Sequence, residues 1–252
     1  LQMTFDRFQN IIPRENIFIL TNASYEGKVI EQLKVPNKQV ICEPLRKNTA
    51  PCIAFATAKI LNQDPEAVMV VSPSDHLITN ELQFNQDIAL GINTAREKDS
   101  LITFGIPPHR PDIGYGYIEF DDSKKEESVQ SVKQFREKPN LQSAEAFLNA
   151  GNFYWNSGMF IWRGRVLRDS FKRNCKSLYD LFFKTENNYN SDQEIAFCQI
   201  AFEKSESISI DYAILEKEPN VEVVLSKFGW SDLGTWGTIK EITSKDENGS
   251  SV

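Results

Sequence analysis

The stretch Ala67-Val-Met-Val-Val71, followed directly by Ser72-Pro-Ser-Asp-His76, decides the fold that the sequence predicts. Its strand, 68–71, is apolar on both faces, which is typical of a central parallel strand covered by helices on two sides. Pro73 ends this strand because proline has no backbone N–H to donate to a neighbouring strand. Asp75 therefore falls at the carboxyl end of the strand, where open α/β sheets bind their ligands.

Strand-like and helix-like segments alternate on both sides of this stretch. Short apolar runs predict strands, and apolar residues at helical spacing predict the helices between them. The predicted strands cover 17–20, 39–42, 68–71 and 100–104, and the predicted helices cover 26–33, 48 or 49 to about 62, and 83–96. This rhythm predicts a Rossmann-like α/β fold, with a mixed, mostly parallel sheet flanked by helices.

The second half of the chain changes character. Residues 116–120 and 129–136 read as antiparallel strands joined by a solvated acidic turn, and helices follow near 141–149, 166–174, 178–184 and 192–202. Residues 1–9 resemble the back half of an amphipathic helix, so a first βα unit with a Gly-rich phosphate loop is expected before them. No Pro/Gly-rich linker divides the chain, and we expect one domain over residues 1–252.

The composition excludes several classes of protein. The net charge of −7 and the scattered lysines and arginines argue against nucleic acid as a partner. The sequence has no apolar run of the roughly 18 residues that a membrane helix needs, and its first residues have no secretory pattern, so we expect a cytoplasmic protein without a membrane partner. The four cysteines lack CxxC spacing and only two histidines accompany them, which argues against a zinc site.

Two aspartates are candidates for holding a metal ion. Mg²⁺ prefers oxygen ligands and is usually held by one or two carboxylates together with phosphate. Asp75 has the alternative role of an Asx turn or a helix cap. Asp232 lies in Gly229-Trp-Ser-Asp-Leu-Gly-Thr-Trp236, where it has the alternative role of capping a helix that starts near residue 235.

Polar segments elsewhere suit phosphate and sugar. Arg46 and Lys47 can face phosphate, and Asn48 and Thr49 supply N–H donors at a helix start, although taken alone the segment fits ordinary capping with solvated basic residues better. Two further segments carry both donors and acceptors, as sugar hydroxyls require. These are Glu137-Lys138-Pro139 and Asn156-Ser157-Gly158.

Taken together, eight motifs in order resemble one family. They are Glu43-Pro-Leu-Arg-Lys-Asn-Thr-Ala-Pro51, Ser72-Pro-Ser-Asp-His76, Phe104-Gly-Ile-Pro107, Gly114-Tyr-Gly-Tyr-Ile118, Phe135-Arg-Glu-Lys-Pro139, Trp155-Asn-Ser-Gly-Met-Phe160, Ser209-Ile-Asp-Tyr-Ala213 and Gly229-Trp-Ser-Asp-Leu-Gly-Thr-Trp236. The chain resembles the bacterial mannose-1-phosphate guanylyltransferases, also called GDP-mannose pyrophosphorylases. The resemblance implies the nucleotide-diphospho-sugar transferase fold, GTP and mannose 1-phosphate as substrates, and Mg²⁺ as cofactor.

The resemblance also implies roles for single residues. Asp75 and Asp232 match the metal-holding aspartates, and Lys138 joins them as a catalytic candidate that steadies the sugar phosphate. The nucleotide-binding candidates are Arg46, Asn48, Thr49 and Ser74. The sugar-phosphate candidates are Gly116, Glu137, Lys138, Asn156 and Asp211. Ser74 and Lys47 depart modestly from the usual residues of the family.

Two other functions remain open. A sister enzyme with another base or sugar, such as a glucose-1-phosphate thymidylyltransferase, shares much of this pattern, and a non-catalytic sugar-nucleotide binding module would keep the pocket alone. Members of the family also carry the Gly-rich phosphate loop, a carboxyl-terminal β-structure and sometimes an isomerase domain. The residues leave the oligomeric state open, with a homodimer as one alternative.

Overall fold

A computed structural model describes residues 1–124, 127–184 and 188–234 of the chain. The strands are β1 (Ile19–Asn22), β2 (Val40–Glu43), β3 (Val68–Val71), β4 (Leu77–Ile78), β5 (Leu101–Ile106), β6 (Tyr117–Phe120), β7 (Val129–Arg136), β8 (Phe153–Arg163), β9 (Val221–Leu225) and β10 (Trp230–Ser231). The helices are α1 (Gln2–Gln9), α2 (Glu26–Leu33), α3 (Thr49–Leu61), α4 (Glu81–Glu97), α5 (Leu141–Ala150), α6 (Gly164–Asn174), α7 (Lys176–Phe182) and α8 (Glu194–Lys204). Most predicted elements therefore exist, with ends shifted by one or two residues.

The largest sheet has six strands in the order β3-β8-β5-β9-β7-β6. The eleven-residue β8 also pairs with β6, so the strands from β8 round to β6 form a closed ring of pairings. Within this sheet only β5 and β9 run parallel among the described pairings, and β1 pairs with β2 in a separate parallel sheet. The predicted α/β fold with a mixed sheet is confirmed, but the prediction that the sheet is mostly parallel is wrong for these residues.

The prediction that β3 is a central parallel strand is also wrong. β3 lies at the end of the sheet order and runs antiparallel to β8, with Val71 opposite Phe160. Its two-sided apolar character has a different cause, because alternate residues pack into two different hydrophobic clusters. Apolar residues on both faces therefore report the helices that cover a strand and not the direction of its neighbours.

Helices cover both faces of the six-stranded sheet. One cluster contains buried residues of α3, α6, α7 and α8, and the other contains residues of α1, α4 and α5. Alternate residues of β5 divide between them, since Leu101 belongs to the first cluster and Ile102 to the second. The predicted amphipathic helix at the start is confirmed as α1, which buries Phe5 and Phe8. Among the described helices, none combines the length and apolar character that a bilayer crossing requires.

A two-stranded antiparallel ribbon of β4 and β10 joins two distant parts of the sequence. Trp230 pairs with Ile78, and the backbone N–H of Thr79 donates to the carbonyl of Gly229 at 2.9 Å. Gly229 has φ +63°, and a Cβ at this position would collide with the Thr79 hydroxyl. Glycine is therefore needed at the entry to β10. The predicted helix near residue 235 lies outside the described residues.

Candidate active site

The β4–β10 ribbon brings the surroundings of Asp75 and Asp232 to a shared imidazole. The indole N–H of Trp230 donates to Nδ1 of His76 at 3.0 Å. Burial lowers the pKa of His76, while the negative charges of Asp75 and Asp232 partly oppose that shift. Both carboxylates thus act on one neutral ring, although 156 residues separate the chain positions 76 and 232. This places the two candidate metal ligands at the same corner of the molecule.

Asp232 is held through one carboxylate oxygen. Its Oδ1 accepts a hydrogen bond from the Tyr115 hydroxyl at 2.9 Å and another from the backbone N–H of Gly234 at 3.0 Å. Burial and the bond to Asp232 raise the pKa of Tyr115, so the phenol stays neutral and donates. The Gly234 bond is an Asx-type turn, which means that Asp232 has a local structural role as well.

The donor set of this corner suits a hard cation. Asp75 is exposed and lies just before β4, outside the pairing of the β-ribbon. Within residues 1–124, 127–184 and 188–234, no cluster of three or more His, Cys, Asp or Glu side chains has the arrangement of a metal site. Two carboxylates that leave the remaining positions to phosphate and water are the usual protein contribution to a Mg²⁺ site.

A second group of predicted residues meets around a bulge in β8. Gly105 of β5 pairs with Asn156, whereas Thr103 pairs with Phe160, so β8 contains extra residues between these two pairs. Gly158 in the bulge has φ +70°. Bulges of this kind turn a side chain away from the regular pleat. Here the Asn156 amide N–H donates to Oδ1 of Asp211 at 2.8 Å, and its oxygen accepts from the Thr103 hydroxyl at 3.2 Å.

Gly116 and Glu137 complete this cluster. The backbone N–H of Asn156 donates to the carbonyl of Gly116 at 2.8 Å. A Cβ on Gly116 would lie 2.5 Å from Oε2 of Glu137, so the absence of a side chain at 116 makes room for the carboxylate. Lys138, with φ +43°, places its ammonium 3.7 Å from Oε1 of Glu137 and is largely exposed. All five sugar-phosphate candidates are therefore linked by direct contacts or by charge.

The charges of this cluster are unusual. Burial raises the pKa of Glu137, and the neighbouring Asp211 raises it further. Burial also raises the pKa of Asp211, while the Asn156 hydrogen bond and Lys138 oppose that shift. Two half-buried carboxyl groups near one amide give acceptors for several hydroxyl groups, which is how proteins bind the hydroxyls of a sugar.

The predicted nucleotide segment lies against the chain that leads into Asp211. The backbone N–H of Ala50 donates to the carbonyl of Ile208 at 3.1 Å, and Thr49 Oγ1 accepts from the N–H of Ile210 at 2.9 Å. Asn48 caps α3 with its side chain and has φ +67° and ψ −171°. This backbone region is nearly restricted to glycine, and strained residues of this kind cluster at ligand sites.

The other two nucleotide candidates are placed differently. Arg46 lies over the ring of Tyr25, 5.4 Å from its centre, and donates to the Tyr25 hydroxyl at 3.0 Å. Ser74 is exposed beside Asp75, and its backbone carbonyl accepts from the hydroxyl of Thr4 in α1 at 2.9 Å. Arg46 thus belongs with the α3 segment, and Ser74 belongs with the carboxylate corner.

The segment 114–116 connects two groups of candidate residues. One is the corner with Asp75 and Asp232, called the carboxylate corner. The other consists of Gly116, Glu137, Lys138, Asn156 and Asp211 and is called the sugar cluster after its predicted ligand. Tyr115 donates to Asp232, and the next residue, Gly116, contacts Glu137 and Asn156. Near the same point, a Cβ on Gly158 would lie 3.6 Å from the Pro73 ring. Residues predicted separately from distant motifs thus lie along one edge of the molecule, which runs from Asp232 through Tyr115 and Gly116 to Glu137 and Asn156.

A cavity of about 560 Å³ opens beside this edge. Its lining is mainly polar, and Glu137 is the predicted site residue that it shares with the sugar cluster. The lining residues are Gln134, Phe135, Arg136, Glu137, Pro139, Asn140, Ser143, Phe147, Tyr212 and Glu216. Neither Asp75 nor Asp232 lines it, so this cavity adjoins Glu137 and is not the centre of the carboxylate corner.

Sequence reasoning missed three residues that hold the carboxylate corner together. His76, Tyr115 and Trp230 were visible only as members of the quoted motifs. The alternating glycines and tyrosines of Gly114-Tyr-Gly-Tyr117 were a signal of close packing, but they did not reveal that the Tyr115 hydroxyl reaches Asp232.

Known proteins resemble this chain over most of its length. The family described as Nucleotidyl transferase matches residues 1–249. The chain is 36% identical to the alginate biosynthesis protein AlgA of Pseudomonas aeruginosa, covering 92% of this chain and 49% of that protein. It is 35% identical to a mannose-1-phosphate guanylyltransferase of Salmonella montevideo, covering 99% of this chain and 54% of that protein. The chain thus spans about half the length of these curated relatives.

A solved structure has the same fold. A protein of Thermus thermophilus, described as a mannose-1-phosphate geranyltransferase, superimposes with a TM-score of 0.84 at 25% sequence identity. The match covers 97% of this chain and 69% of the other. The similarity of fold therefore extends over nearly the whole chain.

Proposed function

Because the chain belongs to the nucleotidyl transferase family, we propose that this protein transfers GMP from GTP to α-D-mannose 1-phosphate and yields GDP-mannose and pyrophosphate. The observation that carries the proposal is the segment Gly114–Gly116, which contacts Asp232 on one side and Glu137 and Asn156 on the other. A transferase of this kind needs a cation-holding corner and a sugar site next to each other, and this segment supports that arrangement.

The proposed reaction is an in-line displacement. A phosphate oxygen of mannose 1-phosphate forms a bond to the α-phosphorus of GTP, while the bond from that phosphorus to the α,β-bridging oxygen breaks and pyrophosphate leaves. The protein forms no covalent bond, so positioning and charge neutralisation supply most of the acceleration.

Asp75 and Asp232 are the residues that would hold Mg²⁺. Bound there together with phosphate oxygens, the cation would offset the negative charge of the reacting phosphates. The two carboxylates and the neutral His76 fit this role, because a partly buried, neutral imidazole adds no positive charge that would compete with a cation.

The sugar cluster would orient the acceptor. Glu137, Asn156 and Asp211 offer acceptors and an amide to the hydroxyl groups of mannose, and Lys138 offers an exposed ammonium to its phosphate. Since holding two reactants in the correct geometry lowers the barrier, these residues contribute through orientation.

The nucleotide would lie between the start of α3 and the carboxylate corner. Asn48 and Thr49 stand at a helix start, which favours negatively charged groups, and Arg46 supplies a cation beside them. Ser74 lies next to Asp75 on the opposite side. The residues 1–252 then act as one nucleotidyl transferase domain in the cytoplasm, without nucleic acid or membrane as partners. A homodimer stays a prediction that light scattering checks.

A substrate panel tests the proposal. Pyrophosphate release is measured with GTP, UTP or dTTP, each combined with mannose 1-phosphate or glucose 1-phosphate in the presence of Mg²⁺. We expect the highest kcat/KM for GTP with mannose 1-phosphate. Preference for dTTP and glucose 1-phosphate would replace the proposal by the thymidylyltransferase alternative, and binding without release in every combination would indicate a binding module.

A further inference from the structure

We propose that Tyr115 is a positioning residue for the metal-binding carboxylate of Asp232. The inference rests on the proposed function, because it assigns a role at the same cation site. Its basis is the hydrogen bond of 2.9 Å from the Tyr115 hydroxyl to Oδ1 of Asp232. No motif of the sequence indicated this contact, which joins residues 117 positions apart.

The two oxygens of the Asp232 carboxylate have different surroundings. Oδ1 of Asp232 accepts from both Tyr115 and the backbone N–H of Gly234. These two donors occupy the lone pairs of Oδ1 and fix the plane of the carboxylate, so that, within the described part of the chain, Oδ2 is the oxygen presented to a cation. A carboxylate that is already oriented loses less conformational freedom when it binds a metal.

Two tryptophans hold the ring of Tyr115 in place. The Tyr115 ring meets the ring of Trp155 edge-on at 5.0 Å between centres and the ring of Trp230 at 5.3 Å. Trp155 is almost fully buried, and Trp230 bonds His76 through its indole N–H. Edge-to-face contacts of this kind are favoured between aromatic rings, so the two tryptophans hold the phenol in one orientation.

The loop before Tyr115 is held by its own hydrogen bonds. Arg110 donates through Nε and Nη2 to one oxygen of Asp112, and the other oxygen accepts from the backbone N–H of Gly114 at 2.8 Å. The guanidinium of Arg110 also lies over Trp155, 5.3 Å from its ring centre. The backbone that carries Tyr115 is therefore fixed from both sides, and its hydroxyl is a preformed donor for Asp232.

Loss of the Tyr115 hydroxyl should therefore weaken metal binding while leaving turnover at saturating metal largely unchanged. Among residues 1–124, 127–184 and 188–234, removing the hydroxyl leaves the Asp232 carboxylate with the bond from Gly234, so the carboxylate rotates more freely in the metal-free protein. Loss of a hydrogen bond to a metal ligand typically weakens metal binding about 10- to 100-fold. At saturating metal the ligand is again oriented by the cation, and turnover should largely recover.

The test uses Tyr115→Phe, which keeps the ring between the two tryptophans. Mn²⁺ binding is followed by electron paramagnetic resonance in the presence of GDP-mannose, and the Mg²⁺ concentration for half-maximal pyrophosphate release is measured in parallel. The control is Tyr189→Phe, because the hydroxyl of Tyr189 likewise donates one hydrogen bond, to the carbonyl of Phe182 at 2.6 Å, in a different part of the core.

We expect Tyr115→Phe to weaken Mn²⁺ binding about 10-fold and to raise the Mg²⁺ requirement by a similar factor, with kcat at saturating Mg²⁺ within about threefold. The control should keep the affinity of the unaltered protein. Equal Mn²⁺ affinity in Tyr115→Phe and in the unaltered protein would overturn the inference while leaving the proposed function intact. Failure of the unaltered protein to bind Mn²⁺ would overturn the proposed cation site, and this inference with it.

Discussion

Replacing Gly116 with alanine puts one methyl group against the carboxylate of Glu137. The new Cβ would lie 2.5 Å from Oε2 of Glu137 and 3.6 Å from Cβ of Asn156. Ordinary van der Waals contact begins near 3.4 Å, so the carboxylate would have to retreat by about 0.9 Å, while Asn156 stays where it is. The substitution therefore displaces the carboxylate of Glu137, which we propose to bind the sugar, and spares the neighbouring Asn156.

The expected cost falls on catalysis and not on folding. A misplacement of about 1 Å in a binding group costs on the order of 10²-fold in rate, which corresponds to about 2.7 kcal/mol of transition-state stabilisation. The atom that yields is the end of a flexible side chain, so the free energy of unfolding should change by less than about 1 kcal/mol and the Tm by less than about 4 °C.

The assay is pyrophosphate release with mannose 1-phosphate varied at saturating GTP, accompanied by thermal unfolding. Gly27→Ala is the matched control, because a Cβ on Gly27 in α2 meets no atom within 4 Å. The double variant Gly116→Ala with Glu137→Asp shortens the displaced side chain, and the two substitutions should couple because their side chains touch.

Unchanged kcat/KM for mannose 1-phosphate in Gly116→Ala would refute the reasoning, since it would mean that the Glu137 carboxylate does not contact the acceptor. A loss of kcat/KM accompanied by a Tm drop of more than about 8 °C would equally contradict it, because the contact would then be structural.

Substitutions at Asp232, Asn48 and Glu137 probe the other parts of the site. Asp232→Asn removes a negative charge from the carboxylate corner and should lower turnover by at least about 10²-fold with little change in Tm. The control is Asp180→Asn on α7, where the carboxylate pairs with Lys176 and Lys184. This control should leave turnover unaffected. Asn48→Gly should raise the free energy of unfolding by about 1 kcal/mol, because glycine tolerates φ +67° and costs only about a few tenths of a kcal/mol as a cap. Asn48→Ala loses the cap and keeps the backbone strain, so this variant should be less stable than Asn48→Gly. Equal thermal stability of the two variants would contradict this account. Glu137→Gln should stabilise the protein at neutral pH. Burial raises the pKa of Glu137, so above the ordinary pKa of 4.5 the folded protein binds more protons than the unfolded protein and loses stability as pH rises. Urea titrations at several pH values should find this loss of stability with rising pH reduced in the variant.

Local elements were predictable because their signals are local. The bounds of α2 agree with the prediction, and α3 begins after Asn48, whose side chain caps it. Sheet order was not predictable in the same way. The apolar run of β3 has the same appearance beside a parallel or an antiparallel neighbour, and its partner β8 is contributed by residues about 90 positions later. The direction of a pairing is therefore decided by contacts that no single segment contains.

The roles of the candidate site residues stay a prediction, and their geometry could not be foreseen from the sequence. Gly116, Glu137, Asn156 and Asp211 came from separate motifs, and the structure brings them together through the bulge in β8. A strand of two residues such as β10 has no periodicity to detect, so the ribbon that carries Asp232 to His76 could not be foreseen.

The most direct test of the central claim is product analysis by ³¹P NMR. The protein is incubated with GTP, mannose 1-phosphate and Mg²⁺, and the spectra are compared with those of Asp232→Asn. The account predicts GDP-mannose and pyrophosphate in equal amounts from the unaltered protein and nearly none from the variant. Equal product from both would contradict the assignment of Asp232 to the cation site, and the absence of GDP-mannose from the folded, unaltered protein would contradict the proposed transfer itself.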